Sequence, residues 1–368
     1  NPRFSGSMLC EKAPESVYFS PDKCSPIIDG LSKGEAISGL TTEFRRERTK
    51  RNMAAEKCFD LVTVGVVCAD VMVRPVDEAP RRGTLALVPT LEMHLGGLAG
   101  VTAIICAKLG GNSAFVGSLG QDAFGDFLLD TMRRSGVDVS GVKRTAACNS
   151  SATVVLISAD GERTFLHHMG TNAETSEEDI DFQVVAQSRV LHWGGPAITP
   201  KLDGEPMGRV FRKARELGVI TSMDTCYDGR AIWGPLIEPS LPHLDLVFTS
   251  LEEARHYTGQ YEVEDIADYF LKHGAQAVVV KLGGDGIFAK DAGGKRVKLP
   301  AHRVAVVDTT GAGDAACGGF LYGWTHGWTL EVCTRLANAV GGLTVQKMGG
   351  AEAVTSLEQV QAFMETLS

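Results

Sequence analysis

The 368-residue sequence lacks any apolar run near the roughly 18 residues that a membrane-spanning helix needs, and no charged segment followed by an apolar one opens it as in a signal peptide. It also lacks basic runs in its body, since 36 Lys and Arg stand against 45 Asp and Glu, a formal charge of −9. These absences argue against membrane and nucleic-acid partners. An anionic ligand would have to be bound by a local group of residues.

Closely spaced cysteine pairs are missing as well. The nine cysteines form no CxxC pair, and most of the later ones stand in apolar or Gly-rich surroundings. This pattern favours buried reduced thiols over a disulfide framework or a zinc site. We therefore expect a cytoplasmic protein.

Several common catalytic motifs are absent too. The sequence has no GxxxxGK[ST] loop, no HRD or DFG pair, no HExxH and no GxSxG. Each of these motifs arranges a particular nucleophile, metal or phosphate group. The P-loop, protein-kinase, zinc-protease and α/β-hydrolase types of site are thereby disfavoured.

The chain divides into two parts by composition. Residues 1–52 lack sustained periodicity and are rich in Ser, Pro, Gly and charge, which predicts a poorly structured N-terminal extension. Seven acidic residues in this stretch argue against a transit peptide. We expect the folded domain to span residues 53–368.

Within that domain, short apolar runs alternate with amphipathic stretches. This order predicts an α/β fold, with a mostly parallel sheet between two layers of helices. The predicted strands are 59–67, 113–117, 189–193, 219–224, 244–248, 277–281, 286–290 and 304–307. Segments 70–95 and 148–168 break the alternation and predict a small separate sheet, with one face that a substrate or a partner subunit would cover.

The strongest functional signal is the segment 304–316, which predicts a strand, a glycine turn and the start of a helix. Such a junction points backbone N–H groups and the positive helix end at one place, which suits a phosphate. Gly311, Ala312 and Gly313 would form this anion hole. Asp314 beside it makes sense as a base that accepts a proton from an attacking hydroxyl.

Two other interpretations of this segment exist. Residues 311–316 also fit a loose GxGxxA dinucleotide fingerprint, but only helical sequence follows residue 314, whereas a dinucleotide fold needs further strands. Alternatively, Asp314 could merely stabilise the helix dipole. The two glycines and the preceding Asp-Thr-Thr favour the base.

At these residues the chain resembles the ribokinase or PfkB family of carbohydrate and nucleoside kinases. The segment 308–314 reads DTTGAGD and matches the family motif without departure, and the resemblance runs from about residue 59 to the C-terminus. It implies a ribokinase-like three-layer α/β/α fold with a small β-sheet lid. It also implies an ATP-dependent, Mg2+-requiring kinase that phosphorylates a hydroxyl of a small sugar-like molecule.

The resemblance further implies roles for individual residues. Substrate binding falls to Asp70, Gly96, Gly97 and Asn172. Nucleotide binding falls to Lys281, Gly283, Gly286 and Asn338. Glu253 would organise Mg2+ through water, and Asp308 with Thr310 would bind a monovalent cation such as K+. The lid sheet would pair between the two subunits of a homodimer.

The chain departs from the family pattern in three places. Val101 and Ser250 replace asparagines, and an Asp-Pro-Asn segment reads Asp224-Thr225-Cys226. An apolar Val101 would remove a hydrogen-bond donor from the pocket and favour a less hydroxylated or base-bearing acceptor. A sugar or sugar-acid kinase is the main hypothesis. A nucleoside kinase and a non-catalytic binding or regulatory protein are the alternatives.

Overall fold

The computed structural model describes residues 57–366. The predicted extension 1–52 and its boundary at residue 53 lie outside the described residues. Between residues 57 and 366, no helix combines the length and the apolar character that crossing a membrane requires.

A sheet of eight strands, the large sheet, forms the centre of the domain. In chain order its strands are β1 Phe59–Gly65, β4 Ser113–Phe115, β9 Ser188–Gly194, β10 Ile220–Asp224, β11 Leu246–Ser250, β12 Ala277–Lys281, β13 Ile287–Asp291 and β14 Arg296–Leu299. The spatial order is β14-β13-β12-β11-β10-β9-β1-β4, and only β13 and β14 run antiparallel to their neighbours. The predicted mostly parallel sheet is therefore confirmed.

Helices cover both faces of this sheet. They are α1 Leu98–Lys108, α2 Ala123–Arg134, α3 Thr171–Glu174, α4 Phe182–Ala186, α5 Glu205–Glu216, α6 Leu251–Thr258, α7 Val263–Lys272, α8 Ala312–Thr325, α9 Leu330–Thr344 and α10 Leu357–Thr366. Successive strand residues enter opposite cores: Val279 joins the core that contains Phe320 of α8, whereas Val278 joins the core that contains Phe270 of α7. Because both faces are buried, central strands such as β12, with three consecutive valines, are largely apolar, as in parallel sheets generally.

Four further strands form a separate small sheet, which matches the prediction for segments 70–95 and 148–168. They are β2 Cys68–Arg74, β3 Thr90–Gly96, β7 Ala152–Ile157 and β8 Arg163–His168, in the order β3-β2-β7-β8. The remaining strands, β5 Gly117–Gly120 and β6 Val142–Thr145, form a parallel pair.

The small sheet has two unlike faces. Asp70 pairs with His94 and Thr153, and Thr153 pairs with His167, so these residues share the inner face with Met72 and Val155. Met72 and Val155 pack with Met348 of the main domain. The alternate positions form the outer face, which carries the apolar residues Val71, Val73, Leu91, Met93, Val154, Leu156 and Leu166.

One predicted strand is wrong. Residues 304–307 form no strand, because the N–H groups of Val307 and Asp308 donate to the carbonyl oxygen of Val345 at the end of α9 instead of to a neighbouring strand. Val306 and Val307 are 63% and 54% exposed. The edge strand next to β13 is β14, which the sequence patterns do not predict. The glycine turn at residue 311 follows an extended loop.

Candidate active site

The turn at Gly311 leads directly into α8. Gly311 has a φ of 72°, and a Cβ there would lie 2.5 Å from the Cα of Gly350, so only glycine fits. Helix α8 begins at Ala312, which places Gly313 and Asp314 in its first turn. The hydroxyl of Thr102 in α1 donates to the carbonyl oxygen of Asp314 at 3.0 Å and fixes this turn against α1. The N–H of Ala312 donates to the carbonyl oxygen of Thr309 at 3.3 Å, whereas the N–H groups of Gly313 and Asp314 have no partner within their own helix and are available to an anion.

The pKa of Asp314 is raised above the usual value for an aspartate, to about 6. Burial is the main cause, the carboxylates of Glu253 and Asp70 also raise the pKa, and the ammonium of Lys281 lowers it. One residue from each predicted group therefore acts on the pKa of Asp314: Lys281 of the nucleotide group, Glu253 of the metal group and Asp70 of the substrate group. A carboxyl group with a pKa near neutrality is suited to accept a proton during a reaction.

Lys281 stands at the carboxyl end of β12 and forms an ion pair with Asp224 at the end of β10. Its Nζ lies 2.7 Å from both carboxylate oxygens of Asp224. A Cβ at Gly313 would come within 3.2 Å of the same Nζ. Burial by itself would lower the pKa of Lys281, but Asp224, Glu253 and Asp314 outweigh it and raise the pKa. The positive charge therefore persists beside the anion-hole turn.

Glu253 belongs to the first turn of α6. Its carboxylate accepts from the Thr225 hydroxyl at 2.8 Å, and its N–H donates to the Ser250 hydroxyl at 3.3 Å. Ser250 and Glu253 form a capping box, an arrangement that serine suits well. Two of the positions that depart from the family pattern, Thr225 and Ser250, thus hold Glu253 in place.

Asp70 lies on the inner face of the small sheet. The thiol of Cys68 donates to its Oδ1 at 3.2 Å, and burial raises the pKa of Asp70, with the hydrogen bond from Cys68 opposing. A Cβ at Gly96 would lie only 1.9 Å from Oδ2 of Asp70. Gly96 is therefore the residue that leaves room for this carboxylate.

The other two predicted substrate residues are Gly97 and Asn172. Gly97 has a φ of 95°, and a Cβ there would lie 2.5 Å from the carbonyl oxygen of Val66. Asn172 is buried, and its Oδ1 accepts from the N–H of Val67 at 3.4 Å. Both lie at the junction between β1 and β2. Val101 is fully buried and packs against Gly350, so its side chain supports the turn at Gly311.

The predicted nucleotide residues come together at the segment that follows β14. Gly286 has a φ of 102°, and a Cβ there would lie 2.0 Å from the carbonyl oxygen of Leu299. Asn338 of α9 donates to the carbonyl oxygen of Pro300 at 2.9 Å. Gly283, with a φ of 57°, begins the turn that ends at Gly286. The turn after β12 therefore connects Lys281 to the segment that follows β14.

Asp308 and Thr310 are engaged by a residue of the small sheet. Arg163 of β8 donates to Oδ1 of Asp308 at 3.0 Å and to the Thr310 hydroxyl. The other oxygen of Asp308 accepts from the N–H of Gly349 at 3.3 Å. The two side chains expected to bind a monovalent cation are thus already paired with a guanidinium, and they do not fit that role.

Comparison with known proteins identifies the family of this chain. A model of the pfkB family of carbohydrate kinases matches residues 59–357. The chain belongs to the pfkB family. Aminoimidazole riboside kinase of Salmonella typhimurium is 30% identical over 285 residues, 74% of this chain and 88% of that protein. Fructokinase-1 of Oryza sativa is 30% identical over 301 residues, 77% of this chain and 92% of that protein.

Solved structures agree with the fold of this pfkB kinase. Arabidopsis thaliana ribokinase complexed with ribose and ATP superposes with a TM-score of 0.73 at 25% identity, covering 83% of this chain and 99% of that one. The predicted ribokinase-like fold is confirmed, and the family match identifies the chain as an enzyme of the carbohydrate-kinase class. The two substitutions that suggested a non-catalytic protein have structural roles here, since Ser250 caps α6 and Val101 packs against Gly350.

Sequence reasoning missed two participants in the site of this pfkB kinase. Asp224 stands in a segment that departs from the family pattern, and a carboxylate at the end of a buried strand is a signal for a site at that sheet edge. The sequence assigns no role to Arg163, which lies within the segment 148–168. No local signal could reveal its role, because its partners lie about 145 residues along the chain.

Proposed function

We propose that this pfkB kinase transfers the γ-phosphoryl group of ATP to a hydroxyl of a small sugar or sugar-like molecule, with Asp314 as the catalytic base. The observation that carries this proposal is the Asp314 carboxyl, with a pKa of about 6, in the first turn of α8. There it adjoins an anion-binding turn and interacts with both Lys281 and Asp70.

In the proposed reaction Asp314 accepts the proton of the acceptor hydroxyl while the oxygen of that hydroxyl bonds to the γ-phosphorus. The bond between that phosphorus and the oxygen bridging it to the β-phosphate breaks, and ADP leaves. The backbone N–H groups of 311–314 stabilise the charge on the transferred group. Lys281 adds a fixed positive charge beside the same turn.

Mg2+ is the expected companion of ATP, and it would screen the charge of the phosphates. Carboxylate oxygens are the ligands that Mg2+ prefers, and Glu253 supplies a carboxylate near Lys281. We propose that Glu253, held by Thr225 and Ser250, binds a water of the hydrated ion. The nucleotide base would lie against the turn 283–286 and Asn338.

The acceptor is proposed to bind between the small sheet and the turn at Gly311. Asp70 provides a carboxylate for its hydroxyl groups, and His94 and Thr153 are the neighbours of Asp70 on the inner face. Gly97 and Asn172 shape the adjacent junction. The names of the two relatives, a fructokinase and a riboside kinase, favour an acceptor that is a free sugar or a riboside.

The test is ADP formation by the purified protein with ATP, Mg2+ and single acceptors from three classes, sugars, sugar acids and nucleosides. We expect one class to give turnover well above the acceptor-free rate, and Asp314→Asn to abolish it while ATP still binds. Turnover by the D314N variant equal to wild type would remove Asp314 from its role. If nucleosides were the only class turned over, the proposed acceptor would be a nucleoside and not a sugar.

We also propose a cytoplasmic homodimer that pairs through the outer face of the small sheet. That face carries exposed apolar side chains, among them Leu91 and Leu166, and a second copy would cover them with an identical surface. The seven described cysteines are all free thiols, which supports a reducing compartment.

A further inference from the structure

Arg163 links the small sheet to the motif that precedes the anion hole. Besides Asp308 and Thr310, its guanidinium reaches the Thr309 hydroxyl at 2.6 Å. One side chain therefore holds three consecutive residues, 308–310, which lead directly into Gly311. The planar guanidinium has five N–H donors in a fixed arrangement, and it stays protonated at any pH in the physiological range.

The pair between Arg163 and Asp308 is sheltered from water. The Asp308 side chain is 4% exposed and that of Arg163 is 28% exposed. Oδ1 of Asp308 also accepts from the N–H of Thr310 at 2.9 Å, and Oδ2 accepts from Gly349. Oδ1 of Asp308 thus accepts two hydrogen bonds, and a cation that bound to it together with the Thr310 hydroxyl would have to displace the guanidinium.

We propose that Arg163 is a positioning residue that serves as the fixed cation of the anion-hole loop, so that this kinase works without a monovalent metal ion at Asp308 and Thr310. This inference rests on the kinase function proposed above. The guanidinium neutralises Asp308 and holds Thr309 and Thr310, and the turn at Gly311 thereby keeps its N–H groups in place.

The cation is carried by the same sheet that carries Asp70. Strand β8 pairs with β7, and β7 pairs with β2, so one hydrogen-bonded sheet carries both Asp70 and Arg163. The position of this sheet therefore sets both the carboxylate of the acceptor site and the cation of the anion-hole loop.

The first experiment compares initial rates in KCl and in tetramethylammonium chloride at equal ionic strength. The wild-type rates in the two salts should agree within twofold.

Arg163→Met should lower kcat at least tenfold with a smaller change in the KM for ATP, and added K+ or guanidinium should restore part of the rate. Arg163→Lys should retain more activity than R163M. Arg82→Met is the matched control, since Arg82 is an exposed arginine of the segment between β2 and β3, and it should behave as wild type.

The second experiment needs no turnover. In thermal melting, the R163M variant should gain a saturable rise in Tm with KCl over tetramethylammonium chloride, because its Asp308 and Thr310 are free to bind K+. Wild type and R82M should show no such rise.

Two results would overturn the inference: a wild-type rate that falls at least tenfold without K+, or an R163M variant whose Tm does not change with K+. If no acceptor is turned over, the proposed function fails. The Tm values of wild type and R163M in the two salts then still test the inference about Arg163. If R163M does not fold, the wild-type rates and R163K decide it.

Discussion

The ammonium of Lys281 lies 2.7 Å from both carboxylate oxygens of Asp224, which is fully buried at the end of β10. Strand β11 separates the two parent strands, so the pair spans the carboxyl edge of the large sheet beneath the turn at Gly311. A buried ion pair is costly to break on one side, because the remaining charge is left without its partner.

Lys281→Met should therefore destabilise the protein by about 3–5 kcal/mol, measured as the free energy of unfolding in urea. The double variant K281M/D224N, in which the unpaired carboxylate is also gone, should recover a large part of that loss. A K281M variant less than about 1 kcal/mol weaker than wild type would mean that Asp224 is satisfied by other groups.

The rate should depend on the ionisation of Asp314. Because the base must be deprotonated and burial raises its pKa to about 6, kcat should rise with pH through about 6 and level off above it. Initial rates at saturating ATP and acceptor from pH 5 to pH 8.5 measure this. A profile that stays level down to pH 5 would contradict the assignment.

The same raised pKa predicts a stability effect of D314N. The folded state of the wild type holds a proton on Asp314 more tightly than the unfolded state, whose pKa is near the usual 3.8. The stability of the wild type therefore falls as pH rises from about 4 to about 6, and the full cost persists above that range. The D314N variant has no such titration. Its stability relative to wild type should increase from pH 4 to pH 7, measured by urea unfolding at both.

Sequence patterns predicted the strands that are buried on both faces. Strand β12 falls on 277–281 as expected, since three consecutive valines suit a central strand. Segment 304–307 has the same β-branched character but forms no strand, because its N–H groups find Val345 instead of a neighbouring strand. Local propensity does not tell which partner a segment will meet.

The candidate site was predictable only where one segment contains it. Residues 311–314 form the turn and helix start that the sequence suggested. The partners of that turn come from elsewhere: Lys281 pairs with Asp224 across 57 residues, and Arg163 reaches Asp308 across 145. These contacts follow from strand order and from the docking of the small sheet, which no local pattern encodes.

Gly96→Ala should act on the acceptor through Asp70. A Cβ at this position would lie 1.9 Å from Oδ2 of Asp70, so the carboxylate must turn away. We expect the KM for the acceptor to rise at least tenfold, as in Asp70→Ala, with the KM for ATP nearly unchanged. Gly229→Ala is the matched control, because a Cβ there meets nothing within 4 Å. Equal losses for both substrates in D70A would place Asp70 outside the acceptor site.

The outer face of the small sheet should determine the oligomeric state. Leu166 is 62% exposed on β8, and a charge at the centre of an apolar interface between two copies would be left desolvated without a partner. Leu166→Glu should therefore convert a dimer into a monomer in sedimentation velocity at micromolar concentrations. Leu87→Glu is the control, since Leu87 is 89% exposed but lies outside the strands. A wild-type protein that sediments as a monomer at these concentrations would refute the pairing, whereas a dimer unaffected by L166E would move the interface to another surface.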